Sequence, residues 1–297
     1  MARIVLLENL RALFYAPFYL AHARGLFAEE GVDVSLEESN SPLDTAARAI
    51  AGDVDVCWGG PLRVLKSYDQ NPAVGLVCFG EVIGRDPFFL AGRETQEPFT
   101  LDCLRRLRMG VVSEVPTPWI CLQQDLLDAG IEPGTLDVVS GRGMDENLEA
   151  VKSGEIDVFQ AFEPYVEQAI GSGCKILVAS ADRGPTAYTC FYTRRDKLAT
   201  RREEFRAMTR ALARSIGAIY ADDGIVTAAT LAPFFPDLAP ALIAACVDRY
   251  RTLRIYNPTG ELPKAGFDRL RHSMRSTSFI ANGTSFENCV DNSLVSG

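Results

Sequence analysis

Two short stretches carry the side chains best suited to chemistry. "AGDVDVCWGGP" spans residues 51–61 and "SGEIDVFQAFEP" spans 153–164; each writes Gly, acid, aliphatic, Asp, Val and then opens into aromatic residues and Pro. Trp58 is followed by Gly59 and Gly60, which allow close backbone approach, so its indole either stacks on a flat ligand or packs in the core. Glu163 precedes Pro164, a residue suited to starting a helix, so its carboxylate either meets a ligand or faces the helix dipole. Catalytic and metal chemistry find little material. With two histidines, His22 and His272, a His-rich metal site is excluded, and a Ser/His/Asp triad would need one of them in a cleft. The eight cysteines (57, 78, 103, 121, 174, 190, 246 and 289) show no CxxC spacing and read as buried reduced thiols, not as a zinc site or disulfide framework. "GRGMDENLEA" lacks the spacing of a dinucleotide site and reads as a helix start with Asp145 as a cap. No cofactor and no metal are expected.

The elements that must position these residues alternate. "ARIVLLE" predicts a strand, "YAPFYLAHARGLFAEEG" a helix, "VDVSLEE" a strand, "PLDTAARAIAGD" a helix, "VDVCWGG" a strand, "PLRVLKSYDQ" a helix and "AVGLVCFGEVI" a strand. After residue 107 the grammar restarts with "RMGVVS", "PTPWICLQQDLLDAG", "LDVVSG", "GMDENLEAVKSGE", "IDVFQAFE", "PYVEQAIGSG" and "CKILVAS". "PTAYTCFYTRRD" reads as a strand returning to the first half, and four later segments read as buttressing helices. Both copies of the repeat fall at a helix end, a Gly turn and a buried strand, so the chain is read as α/β, with two parallel-rich sheets flanked by helices. Ligands of open α/β sheets settle beyond the carboxyl ends of the strands, which places "CWGGP" and "FQAFEP" across a cleft from one another.

Composition bounds the partners. In 297 residues, 47% are apolar and 23% charged, the balance of a globular protein, and the net charge of −9 argues against a nucleic-acid binder. The longest apolar stretches fall far short of the roughly 20 residues that cross a bilayer, so no membrane insertion is expected. "MARIVLLENLRALFYAPF" reads as strand, loop and helix start and not as a leader. Met1 is then either native, with the chain cytoplasmic, or stands where a leader was removed, with the chain periplasmic. The scattered cysteines favour a reducing compartment.

"YAPFYLAHARGLFAEEGVDVSLEE", "ARAIAGDVDVCWGGP", "LRMGVVSEVPTPWICLQQDLLDAGI", "ENLEAVKSGEIDVFQAFEPYVEQAI" and "FENCVDNSLV" together resemble the type II periplasmic solute-binding family of the thiamine-pyrimidine, sulfonate, taurine and nitrate type, over residues 3–295. The resemblance implies two lobes joined by two hinge strands, residues 1–92 plus 186–297 and residues 93–185, closing over a small molecule as the monomeric binding component of an ABC importer with a permease partner. It also implies ligand contacts. They are Asn9, Arg11, Phe14 and Tyr15 after the first strand; Trp58, Gly59 and Gly60; Ser113, Glu114 and Thr117 with Val115 and Pro116; Phe162 and Glu163 from the other lobe; and Tyr188 near the mouth. Ser113 and Thr117 read equally as helix caps, and Arg11 as a solvated loop cation.

If Phe14, Tyr15 and Trp58 line the cleft beside Glu114 and Glu163, the expected cargo is a flat heterocycle with hydrogen-bond donors, thiamine-pyrimidine-like. A sulfonate would want more cations than Arg11, and Glu114 would repel it. The alternative is a cytoplasmic enzyme or sensor on the same fold, similar to thiamine pyrimidine synthases or desulfinases. Against it, "NLRALFYAPF" lacks the His those synthases carry there, Cys190 stands without a cysteine cluster, and Ala12 lies near the desulfinase Cys position. Glu81 and Arg85 are expected to pair near the hinge.

Overall fold

The repeated Gly-acid-aliphatic-Asp unit performs one local task twice. Gly52 and Gly154 each end a helix at φ of 82° and 83°, the left-handed region where a side chain would be strained. Three residues on, Asp55 Oδ2 accepts from Val5 N at 2.7 Å while Asp55 N donates to the Val5 carbonyl at 3.2 Å. Asp157 does the same for Arg108, with bonds of 2.8 and 2.9 Å. Each aspartate thus clamps the start of its strand to the strand beside it, where a parallel ladder would otherwise leave a backbone donor unpaired.

In the computed structural model, which describes residues 1–93 and 98–295, the strands are β1 (Ala2–Glu8), β2 (Val32–Glu38), β3 (Val56–Gly59), β4 (Leu76–Ile83), β5 (Phe89–Gly92), β6 (Arg108–Gly110), β7 (Asp137–Val139), β8 (Val158–Ala161), β9 (Lys175–Ala179) and β10 (Thr189–Arg194). They form two five-stranded sheets of order β2-β1-β3-β10-β4 and β7-β6-β8-β5-β9. The two orders are the same plan. In each, three strands pair in parallel and an antiparallel strand takes the fourth position: β10, the last in the chain, in the first sheet, and β5, the earliest of its sheet, in the second. This is the α/β class read from the sequence.

Two details differ from the sequence reading. The boundary at residue 92 puts Phe89–Gly92 in the first half, yet β5 pairs with β8 and β9, so the chain crosses to the second sheet before residue 89. The single long first helix is instead a 3-10 turn at Leu13–Tyr15, a helix Ala16–Ala23 and a short helix Leu26–Glu29, broken where Gly25 turns left-handed at φ 69°.

The two crossings, 84–88 and 180–188, meet at one side chain. Arg183 Nη1 lies 2.8 Å from Asp86 Oδ2, and Arg183 Nε lies 2.9 Å from Asp125 Oδ1 on the helix Thr117–Asp128, while Arg269 donates to the Arg183 carbonyl. Burial raises the pKa of Asp86, which is fully enclosed, and the Arg183 charge works against that rise. One continuous apolar cluster joins both sheets, running through Phe14, Phe88, Phe162 and Phe191.

Asp55→Ala should lower stability by about 1–3 kcal/mol, because the half-buried Val5 N–H loses its acceptor. Asp157→Ala should cost less, since Asp157 is exposed and water can take its place at Arg108. Urea unfolding of the two variants side by side checks the order.

Candidate functional site

Beyond the carboxyl ends of β1 and β3, loops from both halves close around a cavity of about 30 Å³, room for roughly one water. The first half supplies Asn9, Leu10, Phe14, Tyr15, Pro42, Gly60, Leu62, Arg63 and Tyr188; the second supplies Val115, Pro116 and Thr117. The 3-10 turn presents Phe14 and Tyr15 as a tilted pair with centroids 4.3 Å apart, and Tyr188 stands edge-on to Phe14 at 6.2 Å. Gly60 has to be small, because a Cβ there would come within 3.1 Å of the Tyr188 carbonyl.

Polar capacity in this wall is left unused. Asn9 Nδ2 donates to Tyr15 Oη at 3.3 Å, but Asn9 Oδ1 is buried without a partner, as is the Tyr188 hydroxyl. Arg63, in the first turn of the helix Pro61–Gln70, is half-buried and forms no ion pair among the described residues. Burial pushes its guanidinium below the usual value, with Tyr192 pulling the other way. A buried acceptor without a partner and a half-buried cation without an ion pair thus line one cavity.

The expected contacts divide accordingly. Asn9, Phe14, Tyr15, Gly60, Thr117 and Tyr188 come together around the cavity, with Thr117 opening a twelve-residue helix. The others point elsewhere. Arg11 binds Glu8 through Nε at 2.9 Å and Nη2 at 3.0 Å, and also bonds Glu38 and the Phe234 carbonyl, so its charge is neutralised. Trp58 is fully buried and stacks on Phe18 with centroids 4.4 Å apart, which is the core-packing alternative. Gly59 lies behind it, within contact range of Tyr192 and Asn9. Ser113 Oγ donates to the Arg142 carbonyl at 2.6 Å, and Glu114 Oε1 accepts from Met144 N at 2.7 Å, capping the next helix in place of Asp145. Phe162 packs edge-on against Phe14 at 5.2 Å. Glu163 is wholly buried; it pairs with Arg249 and accepts from Glu167 N at 2.9 Å, while its own N–H donates to Tyr250 Oη at 2.9 Å. Burial raises its pKa against the pull of Arg249.

Sequence reasoning missed Arg63. Its position in a helix that reads as amphipathic suggested nothing beyond a surface cation; the one available signal was its place two residues after the Gly60-Pro61 strand end. Glu81 and Arg85 do not pair. Glu81 accepts from Asn257 Nδ2 at 2.6 Å with its other oxygen unpartnered, and Arg85 reaches the Ala181 carbonyl at 3.5 Å. Both histidines are exposed.

A protein-family model described as NMT1/THI5 like matches residues 14–223. YtlA of Bacillus subtilis strain 168, named as a supposed binding protein, is 21% identical over 99% of this chain and 89% of its own. The 4-amino-5-hydroxymethyl-2-methylpyrimidine phosphate synthase of Aspergillus parasiticus is 36% identical over 70 residues, 23% of this chain and 20% of the enzyme. Among solved structures, the periplasmic aliphatic sulphonate binding protein SsuA from Escherichia coli superposes with a TM-score of 0.77 at 13% identity, covering 97% of this chain and 96% of that one. The fold is therefore the two-lobed type II periplasmic-binding-protein fold.

Trp58→Ala should cost about 3–5 kcal/mol of folding stability in denaturant unfolding, the signature of a buried stack. Glu81 gives a pH dependence. Burial raises its carboxyl to about 8 from the ordinary 4.5, so within that window the folded chain keeps a proton the unfolded chain has lost. Its effect is that stability falls as pH rises through the window and gains no further slope above it. Glu81→Gln should remove that fall: its advantage over the parent grows from nothing below about pH 4.5 to a plateau above about pH 8, read by urea midpoints.

Proposed function

The chain belongs to the NMT1/THI5-like family, and from that premise we propose that it captures a small, flat organic solute by closing its two halves over it, as the binding component that serves an ABC-class permease. The observation that carries this reading is the cavity itself. Its wall is contributed by both halves, so a molecule seated there favours the shut form by touching both. Its volume of about 30 Å³ admits no organic solute while shut, so capture requires the halves to part and close again. The rings of Phe14, Tyr15 and Tyr188 suit a flat body, and the unpartnered oxygens of Asn9 and Tyr188 suit one with polar edges.

A thiamine-pyrimidine-like cargo is supported by the family match and by the local similarity to the Aspergillus enzyme. Electrostatics add little to it, because Glu114 caps a helix and Glu163 is held by Arg249, so neither offers a carboxylate to an amino group in the cavity. That same local similarity favours a second reading, a catalyst on this fold. Recovery of a chemically altered molecule after incubation would favour the catalyst; recovery of the same molecule favours capture.

Native mass spectrometry of protein purified from its own host should show a retained small molecule, and small-angle scattering should show contraction when that molecule is returned to stripped protein. Phe14→Ala should weaken its binding by about 1–3 kcal/mol in calorimetry, with circular dichroism confirming the fold. No retained molecule together with an unchanged radius of gyration would overturn capture.

A further inference from the structure

Resting on the closure proposed above, we propose that Glu81 is a proton-operated stay at the root of the first crossing. With its proton it holds the root stiff, and on losing that proton it frees the halves to part. β4 ends at Ile83, and the crossing 84–88 starts at the next residue. The segment 255–262 is laced to this strand end: Glu81 N donates to the Gly260 carbonyl at 2.7 Å, Asn257 N to the Val82 carbonyl at 2.9 Å and Gly84 N to the Ile255 carbonyl at 2.9 Å. The second crossing is tied to the same point. Thr186 N donates to the Gly84 carbonyl at 2.9 Å and Tyr188 N to the Ile83 carbonyl at 3.1 Å. Both crossings and one strap thus share the root at residues 81–84.

The Glu81 carboxyl lies inside that root and is 2% exposed. A Cβ on Gly84 would come within 2.8 Å of Glu81 Oε2, so the carboxyl packs directly against the backbone of the crossing. Asn257 Nδ2 donates to Oε2 at 2.6 Å, while Oε1 is buried without a partner. No cation offsets its charge among the described residues. The titratable groups on the elements around this strand end are Cys190 on β10, Arg85 on the crossing, Tyr256 and Glu261 on the strap, and Arg206 and Arg210 on the helix Arg202–Ala221. Arg85 turns to the Ala181 carbonyl, and Arg206 and Arg210 pair with Glu203 and Glu30.

A neutral carboxyl tolerates such a site, whereas a carboxylate with one donor and no cation does not. Burial accordingly raises this carboxyl to about 8 from the ordinary 4.5, with the Asn257 bond working against the rise. Water that hydrates the carboxylate enters between crossing and strap, where it competes for the Gly84–Ile255 bond. By linkage, a form that hydrates Glu81 gains on the shut form as pH rises from about 4.5 to about 8, by up to about tenfold per pH unit, and gains no more above that.

Small-angle scattering on the full chain without solute, from about pH 5 to about pH 9, reads the parting of the halves. Hydrogen exchange, corrected for its intrinsic pH dependence, reads the root at Gly84 and Thr186. The parent should expand as pH rises and level off above about pH 8, with exchange at the root rising about 10-fold or more. Glu81→Gln, whose amide oxygen can still accept from Asn257, should keep the low-pH radius throughout. Asn257→Leu removes the one donor that favours the carboxylate and should move the change to higher pH. Circular dichroism checks that each chain stays folded, and infrared difference spectra of the parent against Glu81→Gln follow the carboxyl's own proton. The proposal is overturned if the folded parent keeps one radius and one exchange rate across the range, if Glu81→Gln expands as the parent does, or if the carboxyl is already ionised at about pH 6. Because no solute is present, this failure is separate from that of capture: a radius indifferent to pH that still contracts when the host-retained molecule is returned keeps capture and discards the stay.

Discussion

One guanidinium ties both crossings between the two halves of this chain together. Arg183 lies on the second crossing, grips Asp86 on the first, and reaches Asp125 on a helix of the second half. Because Asp86 is wholly enclosed, removing Arg183 would strand a carboxylate in the interior, an arrangement that typically costs about 3–5 kcal/mol. The contact sits where the two crossings meet, and it would be the pivot in the closure proposed above.

Around that pivot the ends of the sheets sort charges in an instructive way. Carboxylates and guanidinium groups near the cavity are nearly all consumed by one another: Arg11 with Glu8 and Glu38, and Arg249 with Glu163 and Glu167. Such pairing removes them from recognition while stiffening the loops that carry the aromatic rings. What remains for a solute is a small set of rings, one amide oxygen, one hydroxyl and one cation, a sparse wall typical of sites where few polar groups fix orientation.

Much of the architecture could be read from residue order because it depends on local chemistry. The repeated Gly and Asp mark the two helix-to-strand turns since Gly takes the left-handed turn without strain and the short Asp side chain reaches the neighbouring strand's N–H. β5 escaped notice because it has four residues, all buried on both faces, so "FLAG" shows no alternation. The site was half legible. Loop position brought Asn9, Phe14, Tyr15, Gly60, Thr117 and Tyr188 to one cavity, but side-chain direction depends on partners distant in the chain. Glu163 turns toward Arg249, 86 residues away, and Glu114 toward Met144, 30 residues away. Neither pairing leaves a local trace, and Arg63 stands out only by lacking one.

The grip of Arg249 on Glu163 has a consequence for how the halves are joined. The helix Pro240–Thr252 packs against the helix Gly224–Leu231 and the 3-10 turn of the first half, while Glu163 follows β8 of the second, so this ion pair spans the two. Without Arg249 the buried Glu163 carboxylate would lose its cation at the junction of the halves, so their present arrangement leans on a charge pair that lies outside the cavity wall.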